Sequence, residues 1–268
     1  MDKDRLFLAR LEDLLGRAEE RYMTVAGDFM DAHQKKMATD FMRQMKIPEA
    51  SRTGDDYQGI RYMFAGGYEG AERTVPLFVP DYEQGDVTNE FLTAVRVRIS
   101  PGGKQLTHRD YLGSLMGLGI DREVTGDILV RDEDSDEGPG ADIIVASSIA
   151  DFILSDYIKA GRTYLSCETI PLVYVYKGTG KVTYRKDTVA SLRLDSVVAG
   201  GFRLSRGKAA EAVRMGLVAV NGAEALKTDM EVEEGDIISF RGRGRVTLSQ
   251  VGGSSRKGRV FIEFAIPG

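Results

Sequence analysis

Six short segments between residues 91 and 170 have either helical or strand periodicity, and their order constrains the fold more than any other feature of the chain. In chain order they are FLTAVRVRIS, LTHRDYLGSLMGLG, REVTGDILVR, ADIIVASS, SIADFILSDYIKAG and RTYLSCETI. The second and fifth have helical spacing, with Thr107 as the N-cap of the second, and the others read as strands. The order strand, helix, strand, strand, helix, strand predicts a ferredoxin-like βαββαβ domain, similar in topology to RNA-recognition modules, within residues 76–170.

The residues before this domain favour helices. Apolar side chains recur at helical spacing over residues 3–46, and Pro48 ends the pattern. The stretch YMFAGGYEGAERTVPLFVPDY that follows is rich in glycine and proline, which is typical of turns. We therefore expect residues 1–75 to form a mainly helical N-terminal region.

The residues after the domain favour a hairpin and then a separate small domain. The stretch 171–186 is expected to form a connecting hairpin that turns at Gly178 and Gly180. Residues 187–268 read as two short helices with a small β-sheet. The expected fold class of the whole chain is therefore α+β.

Composition excludes several kinds of site. The chain has one cysteine, Cys167, and two histidines, which excludes an internal disulfide framework, a cysteine-rich zinc site and a multi-histidine metal site. The stretch MDKDRLFLARLEDLL has no uninterrupted apolar core of the kind a signal peptide needs, and no apolar run is long enough to span a membrane. We expect a cytoplasmic protein with no bound metal and no membrane contact.

Charge is distributed unevenly along the chain. From residue 190 onward there are 12 Lys and Arg against 9 Asp and Glu, a net charge of +3. The preceding residues hold 24 basic and 32 acidic side chains, a net charge of −8. A basic C-terminal part on an acidic body indicates that this part meets a polyanion.

No motif in the chain assembles catalytic machinery. The GTGK stretch at Gly178–Lys181 lacks the earlier glycine and the hydroxyl residue of a phosphate-binding loop. The HRD triplet at His108–Asp110 begins like a kinase catalytic loop, but position 115 is Leu115 rather than asparagine. We expect no enzymatic activity and no cofactor. His108 and Arg109 read as an exposed helix start, with contact to ribose-phosphate as the alternative.

A basic helix start is the strongest indication of a ligand. RLSRGKAAEAVRMG reads as a helix with Ser205 as its N-cap, and Arg203, Arg206 and Lys208 surround its first turn. The helix dipole is positive there and disfavours cations. The free N–H groups of that turn bind anions, and neighbouring cations strengthen such a site. The pattern therefore predicts that a phosphate group binds at this turn and that Arg206 contacts it.

Other arginines extend this predicted site. Arg214 follows Arg206 by eight residues and projects with it on one exposed stripe of the helix. In RGRGRVTL, the residues Arg241, Arg243 and Arg245 alternate with glycines. A strand here would place the three guanidinium groups on one face, with Arg243 at the centre as a second phosphate contact.

The stretches RLDSVVAGGFRLSRGKAAEAVRMGLVAVNG and VEEGDIISFRGRGRVTL resemble the S-four (S4) RNA-binding domain over about residues 189–248. The shared features are an RLD opening, a second helix that begins SRxxA, a V-NG turn, and a GD turn before an arginine-rich strand. The resemblance implies that RNA is contacted by Arg193, Arg203, Ser205, Arg206, Lys208 and the Asn221 turn. With the basic pattern, the candidate RNA-binding residues are Arg193, Arg203, Ser205, Arg206, Lys208, Arg214, Asn221, Arg241, Arg243 and Arg245. Secondary candidates are His108, Arg109, Arg256 and Lys257.

Most of the chain also resembles the bacterial YlmH family. The further matches are GGYEGAER at Gly66–Arg73, LTHRDYLGSLMGLGIDREVTGDI at Leu106–Ile128, and the C-terminal place of the S4 domain. The resemblance implies a non-enzymatic protein that binds rRNA or tRNA, but not DNA, on the large ribosomal subunit. There, members of the family support quality control of stalled peptidyl-tRNA. A monomer is expected. One departure is that FLTAVRVRIS and ADIIVASS lack the aromatic side chains with which RNA-recognition sheets stack bases.

Two other classes of function are open on the residues alone. An RNA-modifying enzyme, such as a pseudouridine synthase or methyltransferase, often carries an S4 domain, and a bound methyl donor or detectable pseudouridine would favour it. A protein-interaction adaptor would use the basic C-terminal part to meet an acidic protein. Complexes that survive RNase treatment would favour the adaptor.

Overall fold

The computed structural model describes residues 3–52, 57–133, 135–176, 183–254 and 258–266. The chain divides into two compact units, Met1–Gly178 and Thr179–Gly268. The helices of the first unit are α1 (Lys3–Arg21), α2 (Ala32–Gln44), α3 (Thr88–Phe91), α4 (His108–Gly117) and α5 (Ala150–Asp156). Its strands are β1 (Val25–Ala26), β2 (Ile60–Ala65), β3 (Val75–Pro80), β4 (Leu92–Ile99), β5 (Thr125–Arg131), β6 (Gly140–Ala146), β7 (Lys159–Ala160) and β8 (Thr163–Ile170). Among the described residues, none of its helices has the length and apolar character that crossing a bilayer requires.

The N-terminal region contains a sheet as well as the predicted helices. Strands β1, β3 and β2 pair antiparallel in that order, so the expectation of turns in the stretch after Pro48 is wrong for β2 and β3. Pro76 and Pro80, which suggested turns, lie within β3 opposite Phe64 and Ile60 of β2. The predicted boundary between the N-terminal region and the central domain, after residue 75, falls within β3. Because β3 pairs with β1 and β2, the whole strand belongs to the N-terminal region.

The central sheet has the predicted ferredoxin-like topology. Its strands are antiparallel in the order β5-β6-β4-β8-β7. Helices α4 and α5 cover one face, where Tyr111 and Ile153 pack against Val95 and Ile143. The predicted N-cap is confirmed, because Thr107 and Asp110 form a capping box at the start of α4.

The opposite face of the central sheet is largely covered by the N-terminal sheet. Ala94 and Ile144 are fully buried there in one apolar cluster with Phe29 and Leu77. The part of this face over β4 and β6 is covered in this way and cannot stack RNA bases. The absence of aromatic side chains from β4 and β6 therefore agrees with a sheet face that is covered by protein.

The GGYEGAER stretch joins β2 to β3 and fastens the N-terminal sheet to β5. The carboxylate of Asp127 accepts hydrogen bonds from the Tyr68 hydroxyl at 2.8 Å and the backbone N–H of Glu72 at 2.7 Å. The Arg73 guanidinium donates to the carbonyl groups of Phe29 and Thr125. Much of this shared motif therefore has a structural role.

The described residues of the second unit form the two predicted helices and an antiparallel sheet of six strands, where the sequence predicted a small sheet. The helices are α6 (Leu194–Gly201) and α7 (Arg206–Arg214). The strands are β9 (Thr183–Val189), β10 (Val218–Val220), β11 (Ala223–Glu224), β12 (Ile237–Phe240), β13 (Gly244–Ser254) and β14 (Val260–Ile266), and their order in the sheet is β11-β10-β12-β13-β14-β9. Val197, Val213 and Phe264 lie in the core between helices and sheet.

The connecting hairpin predicted at 171–186 is wrong for the described residues. The first half contains a 3-10 helix at Leu172–Tyr174, and β9 pairs with β14 instead of with that half. Gly178 and Gly180 lie outside the described residues. β9 needs the C-terminal strand as its partner, and this partner lies more than 70 residues away in the sequence, so its pairing could not be read locally.

Candidate nucleic-acid interface

A tight turn between α6 and α7 sets the geometry of the candidate site. The N–H of Leu204 donates to the carbonyl of Ala199 at 2.9 Å, and that of Arg203 donates to Gly200 at 3.4 Å. These two bonds form a Schellman motif, in which Arg203 takes the left-handed position with φ of 53°. The guanidinium of Arg185 also donates to the carbonyls of Gly200 and Gly201 at the end of α6. The start of α7 is therefore fixed by backbone contacts.

The predicted N-cap of α7 is present. The Ser205 hydroxyl accepts a hydrogen bond from the backbone N–H of Lys208 at 3.4 Å. Ala209 and Val213 are buried, while Lys208 and Arg214 are exposed. Ser205 therefore acts first as a helix cap, and the cations around it point to solvent.

Asp195, which the sequence did not mark, is the centre of this region. Its carboxylate is bound by the Arg206 guanidinium, with Nε at 3.0 Å, and by Arg193, with Nε at 3.3 Å. The carboxylate side chain is only 7% exposed, whereas Arg193 and Arg206 are 41% and 54% exposed. Burial raises the pKa of Asp195, but the two arginines outweigh it and hold the pKa below its usual value.

This contact explains the basic start of α7 in part. Arg206 is paired with a carboxylate, so it is not the unpartnered cation that the sequence suggested. The pairing aims its guanidinium and leaves more than half of the side chain exposed. Two arginines on one aspartate leave this cluster one positive charge in excess. The RLD stretch held the only local sign of Asp195, because it places an acidic residue in the first turn of α6.

Asn221 forms the predicted Asn-Gly turn, and its side chain has a further structural role that the sequence did not predict. Its φ of 50° and the positive φ of Gly222 form the turn after β10. The Asn221 side-chain amide donates to Asp236 at 2.7 Å, and its oxygen accepts from the N–H of Ile237 at 2.9 Å. The amide therefore fastens one turn to the next.

The predicted arginine strand is wrong in its first part. Arg241–Arg243 form a turn between β12 and β13, and only Arg245 lies in a strand. Gly242 and Gly244 have φ of 81° and 89°, so the glycines serve the turn rather than a bare strand face. The Arg243 guanidinium lies 5.5 Å from the ring centroid of Phe240. The three arginines therefore do not share one strand face.

Apart from Asn221, the described candidates in the second unit fall into two groups, one near each end of α7. The first group comprises Arg193, Arg203, Ser205, Arg206 and Lys208, around the turn into the helix. The second group comprises Arg214, Arg241, Arg243 and Arg245, and Arg241 is tied by its N–H to the carbonyl of Leu217, just after the helix. With nine residues in α7, the two ends of the helix lie roughly 12 Å apart along its axis.

Two of the four secondary candidates lie among the described residues. His108 and Arg109 are exposed in the first turn of α4, as the sequence predicted. Arg256 and Lys257 lie outside the described residues.

A second arginine cluster lies on the central sheet. Asp142 is bound there by Arg96, with Nη2 at 2.8 Å, and by Arg131. The backbone N–H of Tyr176 also donates to this carboxylate, at 2.8 Å. Arg96 donates to the carbonyl of Tyr174 at 2.9 Å. These contacts bind the segment before the second unit to the sheet and leave the cluster buried.

The described residues contain no group of three or more His, Cys, Asp or Glu side chains placed to hold a metal ion. Burial raises the pKa of the Cys167 thiol to about 11, and its Sγ donates to the carbonyl of Tyr157. The thiol is therefore protonated near neutral pH and is a poor nucleophile.

Comparison with known proteins assigns the chain to a family. Residues 91–174 match a family model described as "Putative RNA-binding domain in YlmH", and residues 192–238 match the S4 domain. The ribosome-associated protein quality control protein P2 of Bacillus subtilis (strain 168) is 31% identical over 261 residues, which cover 97% of this chain and 94% of that protein. The chain belongs to the YlmH family.

A solved structure agrees with the fold of this YlmH-family chain. The cell division protein ylmH from Streptococcus pneumoniae aligns with a TM-score of 0.51 at 20% identity, over 66% of this chain and 96% of that one. The S4 match runs from just before Arg193 to β12. It therefore contains the first group of candidates with Asp195, and it ends before the arginine turn at Arg241–Arg243.

Proposed function

We propose that this YlmH-family protein binds rRNA or tRNA through the α6–α7 turn and acts without catalysis on the large ribosomal subunit, in quality control of stalled peptidyl-tRNA. The observation that carries the proposal is the pair of half-exposed arginines, Arg193 and Arg206, held on the buried carboxylate of Asp195. Guanidinium groups fixed in advance lose little freedom when they grip a phosphate.

The surroundings of this pair favour a phosphate rather than a base as the ligand. The N-terminus of α7 presents backbone N–H groups, and Arg203 and Lys208 are exposed beside it. The 31% identical relative is named as ribosome-associated, which supports the ribosome as the place of action. We expect a cytoplasmic monomer.

Charge-removing variants of the full chain test the RNA-binding part of the proposal. The double variant Arg193→Gln, Lys208→Gln should bind a labelled rRNA fragment more weakly and with a shallower salt dependence, by roughly one unit of log slope for each phosphate that the variant no longer neutralises. The control removes two exposed cations of the first unit, Arg21→Gln and Lys36→Gln. An equal decrease of RNA affinity in both double variants would contradict a specific site, because it would mean that affinity depends only on the net charge of the protein.

Sedimentation tests the ribosomal part. After ribosome stalling, the wild-type protein should sediment with large-subunit particles, and the Arg193→Gln, Lys208→Gln variant should stay at the top of the gradient. Wild-type protein that stays at the top under the same conditions would contradict the ribosomal role without affecting RNA binding. An rRNA modification that is lost on deletion and restored only by the intact protein would instead indicate an enzyme.

A further inference from the structure

One corner of the central sheet stays open on the face opposite α4 and α5. Residues of β8 alternate between the two faces, and Leu165 packs into the core beneath the helices. The neighbouring Tyr164 therefore projects from the other face, where its side chain is 62% exposed. The N-terminal sheet covers Ala94 and Ile144 on that face but leaves this ring in solvent.

One cation lies over the exposed ring, and two more lie in the chain segments beside it. Lys159 pairs with Tyr164 across the β7–β8 hairpin, and its Nζ lies 5.3 Å from the ring centroid. The exposed Arg162 lies in the same hairpin. The loop that carries the exposed Lys104 packs against the hairpin, because the N–H of Ser100 donates to the carbonyl of Tyr164 at 3.0 Å.

The two segments are basic in an acidic part of the chain. Residues 100–109 and 157–166 together contain four Lys or Arg side chains and no Asp or Glu. The first 189 residues of the chain carry a net charge of −8, from 24 basic and 32 acidic residues. The carboxylates that flank these two segments have partners of their own: Asp110 lies in the cap of α4, Asp156 accepts a hydrogen bond from the Ser155 hydroxyl, and Glu168 pairs with Arg98. This corner therefore suits an anionic ligand.

We propose that Tyr164, with Lys104, Lys159 and Arg162, forms a second RNA contact that takes an unpaired nucleotide, and this proposal rests on the proposed function. The base stacks on the Tyr164 ring, and the adjoining phosphates meet the three cations. An exposed aromatic ring flanked by cations is the arrangement that holds single-stranded RNA without reading its sequence. A duplex keeps its bases inside and cannot use the ring.

The test compares short fluorescein-labelled RNA, single-stranded and as a blunt duplex, binding to full-length protein by fluorescence anisotropy. Tyr164→Ala should weaken single-strand binding by roughly fivefold to a hundredfold and leave duplex binding unchanged. Tyr164→Phe, which keeps the ring, should bind like wild type. Tyr82→Ala is the matched control, because Tyr82 is 56% exposed but lies in an acidic stretch.

Unchanged single-strand affinity of Tyr164→Ala would overturn the second contact, and so would a Tyr164→Phe variant as weak as Tyr164→Ala. Competition with polyglutamate gives a further test. If polyglutamate displaces RNA equally well from wild type and from Tyr164→Ala, RNA binds at this corner through charge alone, and the second contact would be overturned. The double variant Lys159→Gln, Arg162→Gln should lower the salt slope by roughly 0.7 for each phosphate that it no longer neutralises. If Arg193→Gln, Lys208→Gln weakens RNA binding and the Tyr164 variants do not, only the second contact fails.

Discussion

Two clusters in this protein are built alike, each with two arginines on one aspartate, but they differ in exposure. In the central sheet, the side chains of Arg96 and Arg131 on Asp142 are 7% and 0% exposed. In the second unit, Arg193 and Arg206 on Asp195 are 41% and 54% exposed. The same residue types therefore hold a fold together in one place and can receive a ligand in the other.

The buried cluster has its hydrogen-bonding groups directed inward. Arg131 donates to the carbonyls of Val97 and Gly138 as well as to Asp142. Arg96 adds an ion pair to Glu137 at 3.0 Å. An incoming phosphate would have to displace these partners and enter a space that protein fills. The exposed cluster has one carboxylate for two half-exposed guanidinium groups, so an anion can be added to it without breaking the pair.

The largest expected effect is at Asp142. Asp142→Ala leaves two buried guanidinium groups without their carboxylate, which should cost about 3–5 kcal/mol of unfolding free energy. Hydrogen exchange of the β4–β6 amides measures this loss. Glu168→Gln is the control, because Glu168 pairs with Arg98 at the surface and should cost at most about 1 kcal/mol. Similar losses of unfolding free energy in the two variants would mean that the burial of the Asp142 cluster does not increase its contribution to stability.

Asp195→Ala should cost less, roughly 1–3 kcal/mol, because Arg193 and Arg206 can turn toward water. RNA affinity should fall in the same variant, since both guanidinium groups lose their orientation. Hydrogen exchange of α6 and α7 gives the first quantity and anisotropy the second. A stability loss as large as that of Asp142→Ala, with RNA affinity unchanged, would make this cluster purely structural.

The pH dependence of stability sharpens this prediction. The pKa of Asp195 is lowered in the fold, so its stabilising contribution is complete above the unfolded value of about 3.9 and is lost as pH falls through the folded value. The stability difference between wild type and Asp195→Asn should therefore be constant near neutral pH and shrink below about pH 4. A difference that stays constant into this acidic range would contradict the ion pair.

Local signals in the sequence predicted the local structure well. The capping box of Thr107 and Asp110 and the N-cap Ser205 were readable, because each cap joins residues three positions apart. The order of elements in the central domain followed from periodicity. The alternation of arginine and glycine led to the wrong prediction of a strand. The same alternation occurs in a turn, where Gly242 and Gly244 take positive φ.

Long-range contacts explain what the sequence did not predict. Arg96 and Asp142 lie 46 positions apart, and Arg206 and Asp195 lie 11 apart. Local periodicity does not identify such distant partners, so the sequence could not distinguish paired arginines from unpaired ones. The N-terminal sheet was missed for a similar reason, since only pairing between β2 and β3 distinguishes its strands from the turns suggested by their glycines and prolines.

Arg206→Ala has a smaller effect on stability and a distinct one on binding. The helix dipole alone would give unchanged or raised stability in this variant, because it disfavours a cation at the start of α7. The contact with Asp195 reverses that expectation to a loss of up to about 1 kcal/mol for this half-exposed pair. The salt slope of RNA binding should fall by roughly one, equally for different RNA sequences. Arg206→Lys, which keeps the charge without the bidentate grip, should be intermediate.

The smallest expected effect on stability is at Arg203, where the backbone has left-handed φ of 53°. An arginine there costs about 1–2 kcal/mol, which glycine avoids. Glycine also gains freedom in the unfolded chain, so Arg203→Gly should change stability by only about 0 to +1 kcal/mol. RNA binding should nevertheless weaken, because an exposed cation beside the start of α7 is gone. Arg203→Asn removes the charge but tolerates the same φ, so it should reproduce the weaker binding. If both variants bind RNA like wild type, Arg203 belongs with the structural arginines of the central sheet, and the exposure of a guanidinium would no longer be enough to mark an RNA contact in this protein.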